Sequence, residues 1–195
     1  MPTDWEDHYE RGETPWEKGG PSPGLVDFLA VEPVRGKVLV PGCGFGHDVR
    51  ALAATAQEVV GLDLAASALT GARKFPRAGA ETYVQGDLFA LPPELRGAFD
   101  WVFEHTCFCA IDPKQRPAYV EAVAGALKSD GKLLAVFYLD PGNNSPDEGP
   151  PFEVSVAELD RLFLPRFTLE REWLPQHAYP GREGREWMRV MTVTD

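Results

Sequence analysis

The stretch Val38-Leu39-Val40-Pro41-Gly42-Cys43-Gly44-Phe45-Gly46-His47-Asp48 constrains this chain more than any other. Three consecutive apolar residues read as a short strand buried on both faces, the pattern of a parallel sheet. Three glycines at alternate positions then permit φ > 0 and let a ligand approach the backbone. Helical spacing follows from Asp48 to about Ala54. In open α/β sheets the ligand crevice lies at such a turn, beyond the carboxyl ends of the strands.

The flanking sequence repeats the alternation. Leu25 to Val31 reads as a helix ended by Pro33, and Lys37–Pro41 as the first strand. Glu58–Asp63 is a second strand ending in an acid, followed by a helix from Ala65 to Phe75. Glu81–Gln85 is a third strand leading into Gly86-Asp87-Leu88. A fourth, Phe99 to Glu104, delivers Glu104 and His105 to the same edge. Asp112-Pro113 starts a helix with Asp as N-cap and Pro at N1, and Asp130-Gly131 reads as its end. Leu133 to Leu139 is a fifth strand, and 142–151 a proline- and glycine-rich loop on the ligand edge. Ser155-Val156-Ala157-Glu158 matches a capping box that opens a helix through Leu164. Phe167 to Leu174 and Glu186 to Thr194 are two last strands with no helix between them, only a loop with a Pro180-Gly181 turn. The expected architecture is therefore a doubly wound α/β sheet of seven strands with the last strand antiparallel.

Bulk properties narrow the function. The 195 residues are 44% hydrophobic, enough for a single domain, 1–195, that buries roughly 70% of its unfolded surface. A net charge of −11 argues against a nucleic-acid partner, which needs a cationic footprint. No apolar run approaches membrane-spanning length and no signal-like segment opens the chain, so a cytoplasmic protein without membrane attachment is expected. Cys43, Cys107 and Cys109 are too few, and wrongly spaced, for a disulfide framework or a metal site. Residues 1–22 stand apart from the 23–195 core, being aromatic, acidic and poor in aliphatics. Trp5 and Tyr9 share a helical face, and with Trp16 they read as a lid over the ligand. A frayed tail is the alternative.

A G-x-G turn with a distal acid serves nicotinamide cofactors, flavins and S-adenosylmethionine alike. Asp63 falls about 20 residues after Gly42, where an acid meets ribose hydroxyls, though it also reads as a helix N-cap. Two features favour S-adenosylmethionine. The third glycine of G-x-G-x-x-G would fall at His47, and Asp48 places an anion where a pyrophosphate needs positive potential. Asp87 suits the exocyclic amine of adenine. Aromatic rings near the N-terminus suit a sulfonium through cation–π contact.

Four motifs in order carry a resemblance: the opening W-x3-Y-x-x-G-x-T-P-W-x-x-G, the run V-P-G-C-G-F-G-H-D-V, the stretch F-D-W-V-F-E-H-T-C-F-C-A-I-D-P, and G-P-P-F-x-V. Together they resemble the thiopurine, halide and thiol S-adenosylmethionine methyltransferase family, from Trp5 to about Phe163. The resemblance implies a class I methyltransferase fold and methylation of small soft nucleophiles: thiols, bisulfide, thiocyanate or halide. It also implies that Trp5, Trp16, Gly42, Asp63, Asp87 and Leu88 meet the cofactor; Gly44 is added as a cofactor contact from the reading of the glycine turn itself. Tyr9 stands where plant relatives have Trp, and His105 where relatives carry Tyr or Arg beside the cofactor. His105 is the candidate catalytic side chain, as a hydrogen-bond partner of the cofactor carboxylate or a receiver of the nucleophile; if the acceptor is instead an oxygen or nitrogen, His105 or Glu104 could serve as the general base it needs. Trp16, Phe108, Phe152 and Tyr179 are candidate walls of the acceptor pocket. His8, His47 and His177 read as solvated. A small-molecule acceptor, no metal and a monomer complete the expectation. Small-molecule O- or N-methylation, metalloid-detoxifying methylation and a non-catalytic S-adenosylmethionine-binding role are the competing readings.

Overall fold

The computed structural model describes residues 3–143, 145 and 148–194. Three positions of the 142–151 loop (144, 146 and 147), residues 1–2 of the N-terminal segment and residue 195 thus lie outside the described residues. Seven strands form one sheet: β1 (Lys37–Pro41), β2 (Glu58–Asp63), β3 (Glu81–Gln85), β4 (Phe99–His105), β5 (Leu127–Tyr138), β6 (Phe167–Trp173) and β7 (Glu186–Val193), in the order β3-β2-β1-β4-β5-β7-β6. The β1–β2, β1–β4, β2–β3 and β4–β5 pairs are parallel; β7 runs antiparallel to both β5 and β6. The order reverses direction at β1, whose carboxyl end carries the glycine turn. That is the switch point where doubly wound sheets bind ligands.

Strand alternation divides the core between two faces. Val38, Val40, Phe103, Leu134 and Val136 pack against α2 (Pro23–Val31) and α3 (His47–Ala53). Leu39, Val102, Leu133, Ala135 and Phe137 pack against α5 (Arg116–Ala126) and α6 (Val156–Phe163). Both faces are apolar because both are covered. Ser155 caps α6 by accepting from Glu158 N at 3.1 Å, as its capping box predicts.

Two boundaries differ from expectation. The helix before the fifth strand ends at Ala126 rather than at Asp130-Gly131, because Leu127 is already extended and pairs with Phe99 of β4. Burying Leu127 in the sheet outweighs the local turn signal. The helix expected over Ala65 to Phe75 is α4 (Ala66–Ala72), shorter at its carboxyl end. Phe45 packs so closely on Gly71 that a Cβ there would lie 2.4 Å from its ring. Residues 3–22 add α1 (Trp5–Arg11), capped by Asp4 at its start and by Gly12 in the left-handed conformation at its end.

Candidate active site

Gly42, Gly44 and Gly46 have φ of +59°, +53° and +69°, so each glycine of the turn occupies a conformation that side chains disfavour. The turn exposes backbone at the head of one cavity of about 830 Å³, within the roughly 300–1,000 Å³ of small-molecule sites. Its lining brings together Trp5, Tyr9, Trp16, Gly42, Gly44, Asp63, Asp87, Leu88, His105 and Tyr179. All were named from the sequence.

Asp63, at the end of β2, is 8% exposed. Its Oδ2 accepts from Gly44 N at 2.8 Å and its Oδ1 from Ala65 N at 2.9 Å. The carboxylate therefore ties the turn to the chain entering α4 and keeps lone pairs for a further donor. Burial raises its pKa, and the Ala65, Gly44 and Leu64 N–H groups only partly offset this. Asp87 is exposed on the cavity rim and accepts from Phe89 N at 2.9 Å.

The aromatic segment lies over the turn. Trp16 meets Trp5 edge-on with ring centroids 5.4 Å apart, and its Nε1 donates to Tyr9 Oη at 3.1 Å. Tyr9 in turn packs on Phe45 at 5.3 Å. Three polar contacts hold this cover down. Glu6 accepts from Ser67 N at 3.2 Å and Ser67 Oγ at 2.5 Å, capping α4, whose own N-cap Ala65 has no side-chain oxygen. These bonds hold Glu6 below the usual carboxylate range. Glu17 accepts from His47 Nε2 at 3.0 Å, and Tyr179 Oη donates to Gly20 O at 2.6 Å.

Two histidines expected to be solvated are engaged instead. His47 is fixed between Glu17 and Arg50: Arg50 Nη2 donates to Nδ1 at 2.9 Å, which assigns the proton to Nε2. His8 lines the cavity against Trp16, ring centroids 5.6 Å apart, with Nδ1 buried and unpartnered among the described residues. His177 is exposed, as expected, and pairs with Asp27.

Phe108 and Phe152 do not line the cavity. Phe108 is 1% exposed in the α5–α6 face of the core. Phe152 follows Pro150 and Pro151, which do line it, and Phe152 N donates to Cys109 O at 2.7 Å. Glu104 is also no cavity residue. Adjacent strand residues face opposite sides, so Glu104 is buried on the far side of the sheet from His105. There it accepts from Phe108 N at 2.8 Å and from the Tyr119 hydroxyl.

Sequence reasoning named Tyr179 but missed Arg182, which lines the cavity beside it. Arg182 is 8% exposed and places its guanidinium 4.4 Å from the Tyr138 ring centroid and 5.7 Å from that of Tyr179. Its Nη1 lies 3.5 Å from Glu186 Oε1. In the sequence Arg182 follows a Pro-Gly turn and carries no sign of burial. Asp48 accepts from Ser22 N through Oδ1 at 2.7 Å and from His105 Nδ1 through Oδ2 at 2.8 Å. The first turn of α3 thus carries a fixed negative charge, which opposes a diphosphate and tolerates a sulfonium. An acid with spare lone pairs, a bare glycine turn, exposed Asp87 and an aromatic cover fit S-adenosylmethionine. Among the described residues, no group of three or more His, Cys, Asp or Glu could hold a metal ion, and no helix is long and apolar enough to cross a membrane.

Fold and site define a class I S-adenosylmethionine-dependent methyltransferase. The chain belongs to the thiopurine S-methyltransferase family, whose profile matches residues 1–177. It is 36% identical to thiocyanate methyltransferase 1 of Arabidopsis thaliana over 197 residues, covering 95% of this chain and 84% of that one. It is 30% identical to a thiopurine S-methyltransferase of Shewanella loihica, covering 87% and 85% respectively. The fold superposes on the Burkholderia thailandensis 1,6-didemethyltoxoflavin N1-methyltransferase, solved with S-adenosylhomocysteine, with a TM-score of 0.74 at 18% identity, covering 98% of this chain and 86% of that one.

Proposed function

We propose that this chain methylates small soft nucleophiles, namely thiols, bisulfide, thiocyanate or halide, by direct in-line displacement. One observation carries the reading. A single cavity joins the glycine turn and its acids to a wall made of Tyr138, Tyr179 and the guanidinium of Arg182. S-adenosylmethionine supplies a methyl group on a positively charged sulfur. Asp63 accepts from the ribose hydroxyls, Asp87 from the adenine amine, and Gly42, Gly44 and Leu88 give close backbone and apolar contact. The rings of Trp5, Tyr9 and Trp16, which line the same cavity, would hold the positive charge by cation–π contact, each such contact being worth roughly 0.5–2 kcal/mol when desolvated. Arg182 draws an anionic acceptor to the opposite wall, and the aromatic lining keeps water from competing. Alignment of the two reactants is the protein's main contribution. Three free cysteines suit a reducing cytoplasm, and a single complete site suits a monomer.

Competition tests the acceptor class. With equal concentrations of a small thiol, a primary amine and an alcohol in one reaction, the S-methyl product is expected to dominate. A dominant N- or O-methyl product overturns the reading.

Residues 3–22 act in this account as a lid that closes on the bound cofactor. Glu6→Ala, which removes the cap on α4, is expected to speed proteolytic cleavage within the first 20 residues several-fold in protein saturated with S-adenosylhomocysteine. Cleavage at the wild-type rate would show that the Glu6–Ser67 contact does not hold the lid.

A further inference from the structure

We propose that the Asp48–His105 pair is a proton acceptor for substrates that arrive as neutral thiols, with His105 Nε2 taking the proton and Asp48 positioning the ring. The proposal rests on the thiol-methylating reading above and adds the residue that activates one substrate class.

The tautomer follows from the contacts. A carboxylate offers only lone pairs, so the 2.8 Å bond to Asp48 Oδ2 requires a proton on His105 Nδ1. In the neutral ring the lone pair is then on Nε2. That atom is buried and has no partner among the described residues, while the residue itself lines the cavity. An unsatisfied buried acceptor on a residue that lines a ligand space lacks the partner that a substrate proton can supply. The ring is held in place: Tyr179 stacks on it at 5.9 Å and 25°, and the Tyr179 hydroxyl is tied to Gly20. A carboxylate on one ring nitrogen and a free lone pair on the other is the arrangement that makes histidine a general base.

The charges around the ring favour accepting a proton. Asp48 faces it from α3, Glu186 from the start of β7 and Arg182 from the loop before β7. Glu186 is 1% exposed, and its Oε2 also lacks a partner among the described residues. Burial disfavours the imidazolium, but Asp48 and Glu186 outweigh both burial and Arg182, and the pKa of His105 lies above its ordinary value. The step balances. The S–H bond breaks and its proton bonds to Nε2. The sulfur pair forms the new bond to the methyl carbon as the methyl–sulfonium bond breaks, its electrons staying on the departing sulfur. His105 returns the proton to water after the methylated product leaves. An iodide ion brings no proton and needs none of this.

Turnover of 2-mercaptoethanol and of iodide is compared from pH 6 to 9.5 in wild type, His105→Gln and Asp48→Asn. NMR titration of the His105 ring in ligand-free protein supplies a readout independent of activity. In wild type, kcat/KM for the thiol is expected to rise with pH along the titration of the His105 ring, while iodide turnover shows no such rise. At pH 7.5, His105→Gln should lower the ratio of thiol to iodide turnover by about 10²-fold or more. Its residual thiol rate should follow the thiolate fraction of 2-mercaptoethanol, a weaker acid than a cysteine thiol, and so still be rising at the top of the pH range. Asp48→Asn should lower the ring's titration midpoint and carry the thiol limb with it, changing kcat more than KM. A wild-type limb that does not coincide with the ring titration, or an unchanged ratio in His105→Gln, overturns the proposal and leaves the methyltransferase reading standing. Wild-type protein that methylates neither acceptor removes both.

Discussion

Phe108→Ala is expected to lower the unfolding free energy by about 3–5 kcal/mol. The ring is 1% exposed and meets Tyr119 at 5.4 Å, Phe137 at 5.6 Å and Phe163 at 5.4 Å. The buried guanidinium of Arg116 lies 5.0 Å from its centroid. These neighbours come from α5, β5 and α6, so truncation leaves a void that no single element can close. Urea unfolding followed by tryptophan fluorescence measures the loss. A change below 1 kcal/mol would mean that the site collapses freely and that Phe108 is no keystone of this face.

Asp63→Ala is expected to weaken S-adenosylhomocysteine binding by about 1.5–3 kcal/mol, the scale of charge-assisted hydrogen bonds. Calorimetric titration measures it, and unchanged affinity would leave Asp63 as a cap only. The raised pKa of Asp63 fixes two signs. Its ionisation opposes folding: the penalty is absent below the unfolded value of about 3.8 and grows as pH rises through the higher folded value. Cofactor hydroxyls that donate to the carboxylate favour its charged form, so affinity should fall as pH drops through that raised pKa. Asp63→Asn should remove this acid limb, but the amide nitrogen cannot accept, so either Gly44 N or Ala65 N loses its partner, and thermal melts at neutral pH should show the variant less stable than wild type.

Much of the fold was legible because apolar runs and glycine punctuation are local signals. The strand at Val38–Val40, its glycine turn and the acid closing β2 were all placed by pattern alone. The polar contacts were not. Asp48 and His105 are 57 residues apart, Glu6 and Ser67 are 61 apart, and Tyr179 reaches back to Gly20. Only the assembled sheet brings such partners together, and a carboxylate in the first turn of a helix looks the same whether it caps, pairs or faces water. Phe108 shows a further limit. Counting on from β4 assigns it to the ligand edge, but Thr106 has φ of +59° and turns the chain before Phe108 is reached. Alternation fails where the backbone leaves the strand, and the ring goes into the core. Arg182 was missed for the opposite reason: its position after Pro180-Gly181 suggests a solvated turn, yet two tyrosine rings and Glu186 enclose it.

The most direct test of the account is the headspace over purified protein and S-adenosylmethionine supplied separately with iodide, thiocyanate and bisulfide. Methyl iodide, methyl thiocyanate or methanethiol should accumulate in proportion to enzyme, with one S-adenosylhomocysteine formed for each methyl transferred. Background levels of all three products, from protein that calorimetry shows to bind S-adenosylhomocysteine, would contradict methyl transfer to small soft nucleophiles as this protein's chemistry.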